Sequence, residues 1–216
     1  MQYLRLLLKD VWYLTRPYFV SEDRKWAWGL LVAVLALTFS VVGMDLLQSF
    51  SRNVYYTALQ QRDATTFLRG LFWYVHNEDG YVPGFFIITI PAILFNVYAT
   101  YLQQMLGLRW RRWLTARMTR QWMDNQTYFR IAITTSGLET GADNPDQRIQ
   151  EDLNRFVTDT LTQFIDLLSN IVTLFSYVSL LWVLSGPLEI WGISIPGYFF
   201  WAALIYSVIA TWVTHL

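Results

Sequence analysis

The stretch WAWGLLVAVLALTFSVVGMDLL, residues 26–47, decides the class of the molecule. Its one ionisable side chain is Asp45, near the end, and its apolar residues run on without alternation. That pattern reads as a helix and not as a barrel strand. Covering the hydrocarbon core takes about 20 mostly apolar residues, and a helix satisfies its own backbone, as lipid demands. Similar runs recur at about 84–106, 161–184 and 198–216, separated by turn signals. The expectation is an all-α membrane protein with four spans in this chain.

Composition agrees. Of 216 residues, 54% are hydrophobic, 18% aromatic and only 15% charged, against about 25% charged in soluble domains. Formal net charge is zero, which gives no sign of a nucleic-acid partner. The absence of cysteine excludes disulfides and thiolate metal sites. His76 and His215 lie far apart in sequence, so no histidine metal site is expected. Residues 1–25 read as an amphipathic elbow on the membrane surface: Arg5 and Lys9 sit in its first part, and Arg16-Pro17 and the cluster Glu22 to Lys25 break any signal-peptide pattern.

Positive charge orients the chain. Thirteen of the sixteen Lys and Arg residues precede the first predicted span or lie between the second and third; the loop between the first and second holds Arg52, Arg62 and Arg69, and the last loop none. The positive-inside rule then predicts a cytoplasmic N-terminus and a cytoplasmic connection over about 107–160. Trp12, Tyr13, Trp26, Trp28, Trp73, Tyr74, Trp110 and Trp113 fall at the proposed interfaces, as an aromatic belt does.

That connection reads as structured. Between Tyr98 and Tyr128 there is no proline and one glycine, Gly107, so the second span can continue out of the bilayer as one helix. Asn144-Pro145-Asp146-Gln147 reads as a helix start, with Asn as N-cap, Pro at the first helical position and Gln closing a capping box. Ile149, Leu153, Phe156, Thr160 and Phe164 then follow at helical spacing. A helix from Pro145 to Leu184 is about 60 Å long, twice the hydrocarbon thickness of about 30 Å. Two helices are thus expected to protrude together, joined by a glycine-bearing turn over 134–142.

Three motifs carry a resemblance. They are Ser51-Arg-Asn-Val-Tyr-Tyr-Thr-Ala-Leu-Gln60 with Asp63 and Phe67, Leu108-Arg-Trp-Arg-Arg-Trp-Leu-Thr115, and Asn144-Pro-Asp-Gln-Arg-Ile149 with Glu151-Asp152. Together they resemble the family of YddA-type bacterial ABC transporters, SbmA/BacA peptide transporters and peroxisomal fatty-acyl transporters. The resemblance covers nearly the whole chain in the expected order, and the third motif is its most specific part.

What it implies is an exporter-type ABC transmembrane domain over residues 26–216, working as a homodimer in the bacterial inner membrane. These would be the first four of six spans, with a nucleotide-binding domain following in the same polypeptide and the chain continuing past Leu216. Asn144, Pro145, Asp146, Gln147, Arg148, Glu151 and Asp152 would couple to that domain. ATP and Mg are expected there and no cofactor in these residues. A Walker A loop needs Gly-Lys-Ser/Thr, whereas the only lysines, Lys9 and Lys25, follow no glycine, so no ATP hydrolysis is expected from this stretch alone.

Asp166 and Asn170 stand one turn apart in an apolar helix, and Asn96 and Asp45 interrupt two others. Ionisable groups inside a membrane face a cavity or a partner, so these four are candidate pathway residues for a small-molecule or peptide substrate; helix–helix hydrogen bonding is the alternative account. Pro91 removes one hydrogen bond and suits a kinked span. Arg109, Arg112, Arg117 and Arg120 suit lipid headgroups. Two further functions stay open: proton-driven peptide uptake with Asp166 as carrier, and a membrane assembly protein that transports nothing.

Overall fold

The structure, a computed structural model, describes residues 2–77, 80–124, 145–185, 188–190, 193–195 and 196–215. The predicted turn over 134–142 and the N-cap Asn144 lie outside the described residues. In order, the elements are α1 (Gln2–Val20), α2 (Arg24–Gln60), α3 (Ala64–Phe72), β1 (Val75–Asn77), β2 (Gly80–Val82), α4 (Phe85–Met123), α5 (Pro145–Leu184), β3 (Leu188–Ile190), β4 (Ile193–Ile195) and α6 (Tyr198–Thr214).

Helices α2, α4 and α5 are each long and apolar enough to cross a membrane. None of the most apolar window of α5 is buried within the chain. Water does not tolerate so large a bare apolar surface; lipid does. Helix α6 is as apolar but has 17 residues, about 25 Å at 1.5 Å per residue.

One helix runs past the predicted span: α2 continues beyond Leu47 to Gln60, because nothing from Gln48 to Gln60 breaks a helix, and the Ser51 motif forms its last turns. Helix α1 continues through Pro17 to Val20, and Pro91 lies inside α4 as the predicted second span has it. Helix α5 has the bounds that its cap and periodicity predict.

The chain divides into two compact units. The first comprises residues 1–41 and 91–166. Its core gathers Tyr18, Ala27, Leu30, Leu31, Leu106, Trp110, Leu114, Val157 and Leu161, where α1, α2, α4 and α5 meet. Aromatic rings dominate it: Trp110 packs against Tyr18, Phe19 and Phe156 at centroid distances of 6.0, 6.1 and 5.9 Å.

The second unit comprises residues 42–90 and 167–216. There Gln48 of α2 donates to Thr89 Oγ1 of α4 at 3.0 Å, a polar tie of the kind that joins spans in lipid. Helix α2 ends in a Schellman motif, with Asp63 N–H on the Ala58 carbonyl and Arg62 N–H on that of Leu59. Asp63 then caps α3 by accepting from the Thr65 and Thr66 amides at 3.0 and 3.2 Å. Two short hairpins pair Val75 with Val82 and Leu188 with Ile195. The second leads into α6 through Gly197, whose φ of 72° suits glycine; Phe199 N–H donates to Ser185 Oγ at 3.1 Å.

Candidate functional site

Sequence dictates the face on which α4 and α5 meet. Asn96, Thr100, Gln103, Gly107 and Arg111 recur at helical spacing on α4, as do Asn154, Thr158, Thr162 and Asp166 on α5. The small Gly107 faces Leu161, whose Cδ1 would sit 3.6 Å from a Cβ built there, so the helices approach closely. Around this contact lies a cleft of about 440 Å³ lined by Thr100, Gln103, Gln104, Arg111, Asn154, Thr158 and Thr162 among other residues.

Two side-chain hydrogen bonds cross it. Gln103 Nε2 donates to Thr162 Oγ1 at 3.4 Å, and Arg111 Nη1 donates to Asn154 Oδ1 at 2.9 Å. Amides, hydroxyls and one guanidinium make this wall able to hydrogen-bond a polar solute while its apolar rim packs.

The sequence-derived residues fall in both units. Asp166 and Asn96 belong to the first unit, Asp45 and Asn170 to the second, and all four are exposed on the chain. No hydrogen bond joins any of them to another among the described residues. Asp166 lies one turn beyond Thr162 on α5, so it continues the polar stripe; Asn96 does the same beyond Thr100, whose hydroxyl donates to the Asn96 carbonyl at 3.0 Å. The cleft residues Gln103, Gln104, Asn154, Thr158 and Thr162 were not singled out in the sequence. Their signal is the four-residue polar recurrence shared by two helices, which a search for charged residues inside spans passes over.

Of the coupling motif, Pro145, Asp146 and Arg148 lie in the first turn of α5, while the side-chain surroundings of these three are outside the described residues. Gln147, Glu151 and Asp152 are exposed. The Gln147 amide donates forward to Glu151 Oε1 at 2.9 Å, a one-turn pair; its capping-box partner Asn144 lies outside the described residues. The arginine series is partly occupied within the chain. Arg109 lies 4.8 Å above the Trp26 ring and Arg117 5.5 Å from that of Trp113, so two of the four cations rest on aromatic faces.

Outside the long helices α2, α4 and α5, two groups among the described residues are shifted. Burial raises the Tyr18 phenol above its ordinary value, with Asp23 adding to the rise and Arg109 opposing it. The Asp63 carboxyl is lowered, first by the Thr66 hydroxyl and then by the capping amides.

Apolar helices facing lipid, two of them long and paired over a polar cleft, define a multi-pass membrane domain of the helical-bundle class. Comparison with known proteins agrees: residues 14–216 match the family described as ABC transporter transmembrane region 2. The chain belongs to that family. It is 33% identical over 198 residues to an ABC transporter ATP-binding protein of Synechocystis sp., covering 89% of this chain and 28% of that protein. To the chloroplastic ABC transporter D family member 2 of Arabidopsis thaliana it is 30% identical over 185 residues, 86% of this chain and 24% of the relative. To the inner membrane ABC transporter ATP-binding protein YddA of Escherichia coli it is 26% identical over 218 residues, 98% and 36% respectively. The chain thus spans roughly a quarter to a third of the length of the curated relatives it matches.

Proposed function

We propose that these residues form the membrane-spanning part of an ATP-driven transporter that moves a small molecule or peptide by alternating access. The observation that carries the reading is the pair α4 and α5. At 39 and 40 residues each is about 60 Å long, twice the hydrocarbon core, and the excess length of both lies beyond a shared polar cleft. Such a pair transmits movement between the bilayer and something outside it. In this reading the N-terminus and the far ends of α4 and α5 are cytoplasmic, the membrane is a bacterial inner membrane, and two copies form the pathway.

The first turns of α5, from Pro145 to Asp152, with Asn144 before them in the sequence, then contact a nucleotide-binding domain in the same polypeptide, as the names of the relatives suggest. ATP and Mg belong to that domain. Neither lysine of this chain follows a glycine, as a Walker A lysine does. The cleft and Asp166 contribute polar contacts to the substrate during the change of access.

The test is ATP turnover by the full-length protein in lipid nanodiscs, beside residues 1–216 alone. Turnover confined to the full-length protein, and altered by a Glu151→Lys/Asp152→Lys variant that folds normally, supports the reading. No turnover in either sinks it and favours proton-driven uptake, to be followed with an Asp166→Asn variant under a proton gradient.

A further inference from the structure

Helix α4 carries five arginines, Arg109, Arg111, Arg112, Arg117 and Arg120, and no acidic residue from Phe85 to Met123. Among the described residues three of these cations meet neutral groups. Arg109 and Arg117 lie against the rings of Trp26 and Trp113, and Arg111 donates to the side-chain amide of Asn154. An amide does not neutralise a guanidinium, and with five N–H donors Arg111 has more to give.

Arg111 also joins two clefts of the first unit. Beside the α4–α5 cleft described above lies a second, of about 660 Å³, which shares Leu108 and Arg111 with it and adds the exposed Arg112, Thr115, Thr119 and Gln150. Helix α5 has five acids, Asp146, Glu151, Asp152, Asp159 and Asp166. Its polar contributions to the two linings are nevertheless Gln150, Asn154, Thr158 and Thr162, and none of the five. Of the acids that flank them, Glu151 accepts from Gln147, and Asp166 is 12 residues beyond Asn154, about 18 Å along the helix. Arg111 itself stands five residues past Leu106, where the second span is expected to end, about 8 Å further out. A solute arriving from water reaches it without entering hydrocarbon.

We propose that the joined clefts form an anion site, in which the phosphate or carboxylate group of a solute is held by Arg111 and Arg112 and takes further donors from Thr115, Thr119 and Gln150. The chemistry selects the sign of the charge. Hydroxyls and amides serve either sign, so the two arginines decide, and guanidinium groups bind oxyanions through paired N–H···O bonds. A cationic solute meets two like charges and no carboxylate in the lining. The inference rests on the reading of this cleft as part of the solute path and names the class of solute. It is measured without ATP, so its failure and the failure of ATP drive are separate results.

Residues 1–216 contain no cysteine, so Thr158→Cys in the full-length protein, with any other cysteine replaced by serine, gives the cleft a single thiol. In phosphatidylcholine nanodiscs it is modified with methanethiosulfonates bearing a sulfonate, a trimethylammonium or no charge. The ratio of sulfonate to trimethylammonium rates should be about ten-fold higher than for free 2-mercaptoethanol. It should fall to the free value in Arg111→Gln/Arg112→Gln and be kept in Arg111→Lys/Arg112→Lys. Equal rates with the uncharged reagent show that fold and access survive in both variants. Phenyl phosphate should slow the modification, and phenyltrimethylammonium should not. Phosphatidylglycerol in the nanodisc separates a soluble phosphate from a lipid one: slowing by that lipid, with phenyl phosphate without effect, assigns the arginines to headgroups and overturns the proposal. A ratio equal to that of the free thiol, or protection by the cation, overturns it as well.

Discussion

Tyr18 of α1 stacks on Trp110 of α4, with ring centroids 6.0 Å apart and planes 12° from parallel. Both rings are buried, at 0% and 1% exposure, so the elbow is fastened to the bundle by aromatic area. Trp110→Ala should therefore lose about 3–5 kcal/mol, read as the unfolding midpoint in detergent. Tyr18→Phe keeps the stack and deletes a buried hydroxyl without a partner among the described residues, so it should be neutral or stabilising. The phenol adds a pH signature. Its folded value is raised above 10.0, chiefly by burial, so its contribution is complete below pH 10 and is lost as pH rises through the folded value. Above pH 10 the native protein should weaken relative to Tyr18→Phe.

Arg62 closes the Schellman motif of α2 at φ 57°, a conformation that disfavours any Cβ-bearing residue by about 1–2 kcal/mol. Arg62→Gly removes that strain, and part of the gain is offset by the freer unfolded chain. A net stabilisation of about 0.5–1 kcal/mol is expected, measured by chemical denaturation.

Asp63 gives the opposite pH response to Tyr18. Its carboxyl is lowered from 3.8 by the Thr66 hydroxyl and the capping amides, so the cap is fully effective above pH 3.8 and is lost as pH falls through the lower folded value. Amide-exchange protection of Leu68 to Phe72, corrected for intrinsic rates, should fall in that acid window. In Asp63→Ala it should be low throughout and insensitive to pH.

Gly84 and Gly197 are close-approach positions. A Cβ at Gly84 would sit 2.4 Å from the Trp73 carbonyl oxygen, and one at Gly197 2.7 Å from the Trp182 ring. Backbone cannot yield and a side chain can. Gly84→Ala should lose about 1–3 kcal/mol with no rescue by side-chain substitution. Gly197→Ala should be partly rescued by Trp182→Leu, the remainder reflecting its positive φ. Thermal midpoints of the single and double variants decide both.

The bonds across the α4–α5 cleft should couple. A double-mutant cycle of Arg111→Ala and Asn154→Ala is expected to give about 0.5–1.5 kcal/mol of interaction; Gln103→Ala with Thr162→Ala, at a longer separation, should give less. Values near zero would mean that the two bonds contribute nothing to holding the helices together.

Much of the fold is legible in the sequence because lipid restricts the backbone to so few solutions. Residues 26–47 had to be helical, and Pro145 with its periodic followers had to begin a helix that reaches Leu184. What escaped was local. Asp79-Gly80 and Trp191-Gly192 sit between short β-branched or aromatic runs, a hairpin signal, yet the small strands beside them carry too few residues to outweigh the surrounding helical pattern. The end of α2 was missed because a span is set by bilayer thickness and a helix is not; the chain past Leu47 merely lacks a breaker. The candidate site was half legible. Asp166 and Asn96 attract notice as polar intrusions, while Gln103, Asn154 and Thr162 acquire meaning only once α4 and α5 are seen to face each other.

The two bonds that span that cleft have a mechanical consequence. Arg111 lies eight residues on from Gln103 along α4, and Asn154 eight residues before Thr162 along α5, so the crossings are evenly matched, about 12 Å apart on each helix. A single crossing is a pivot about which two rods can scissor. Two at equal spacing form a ladder, in which sliding one rail past the other strains both rungs in the same sense. The pair is therefore held against scissoring at two points instead of one.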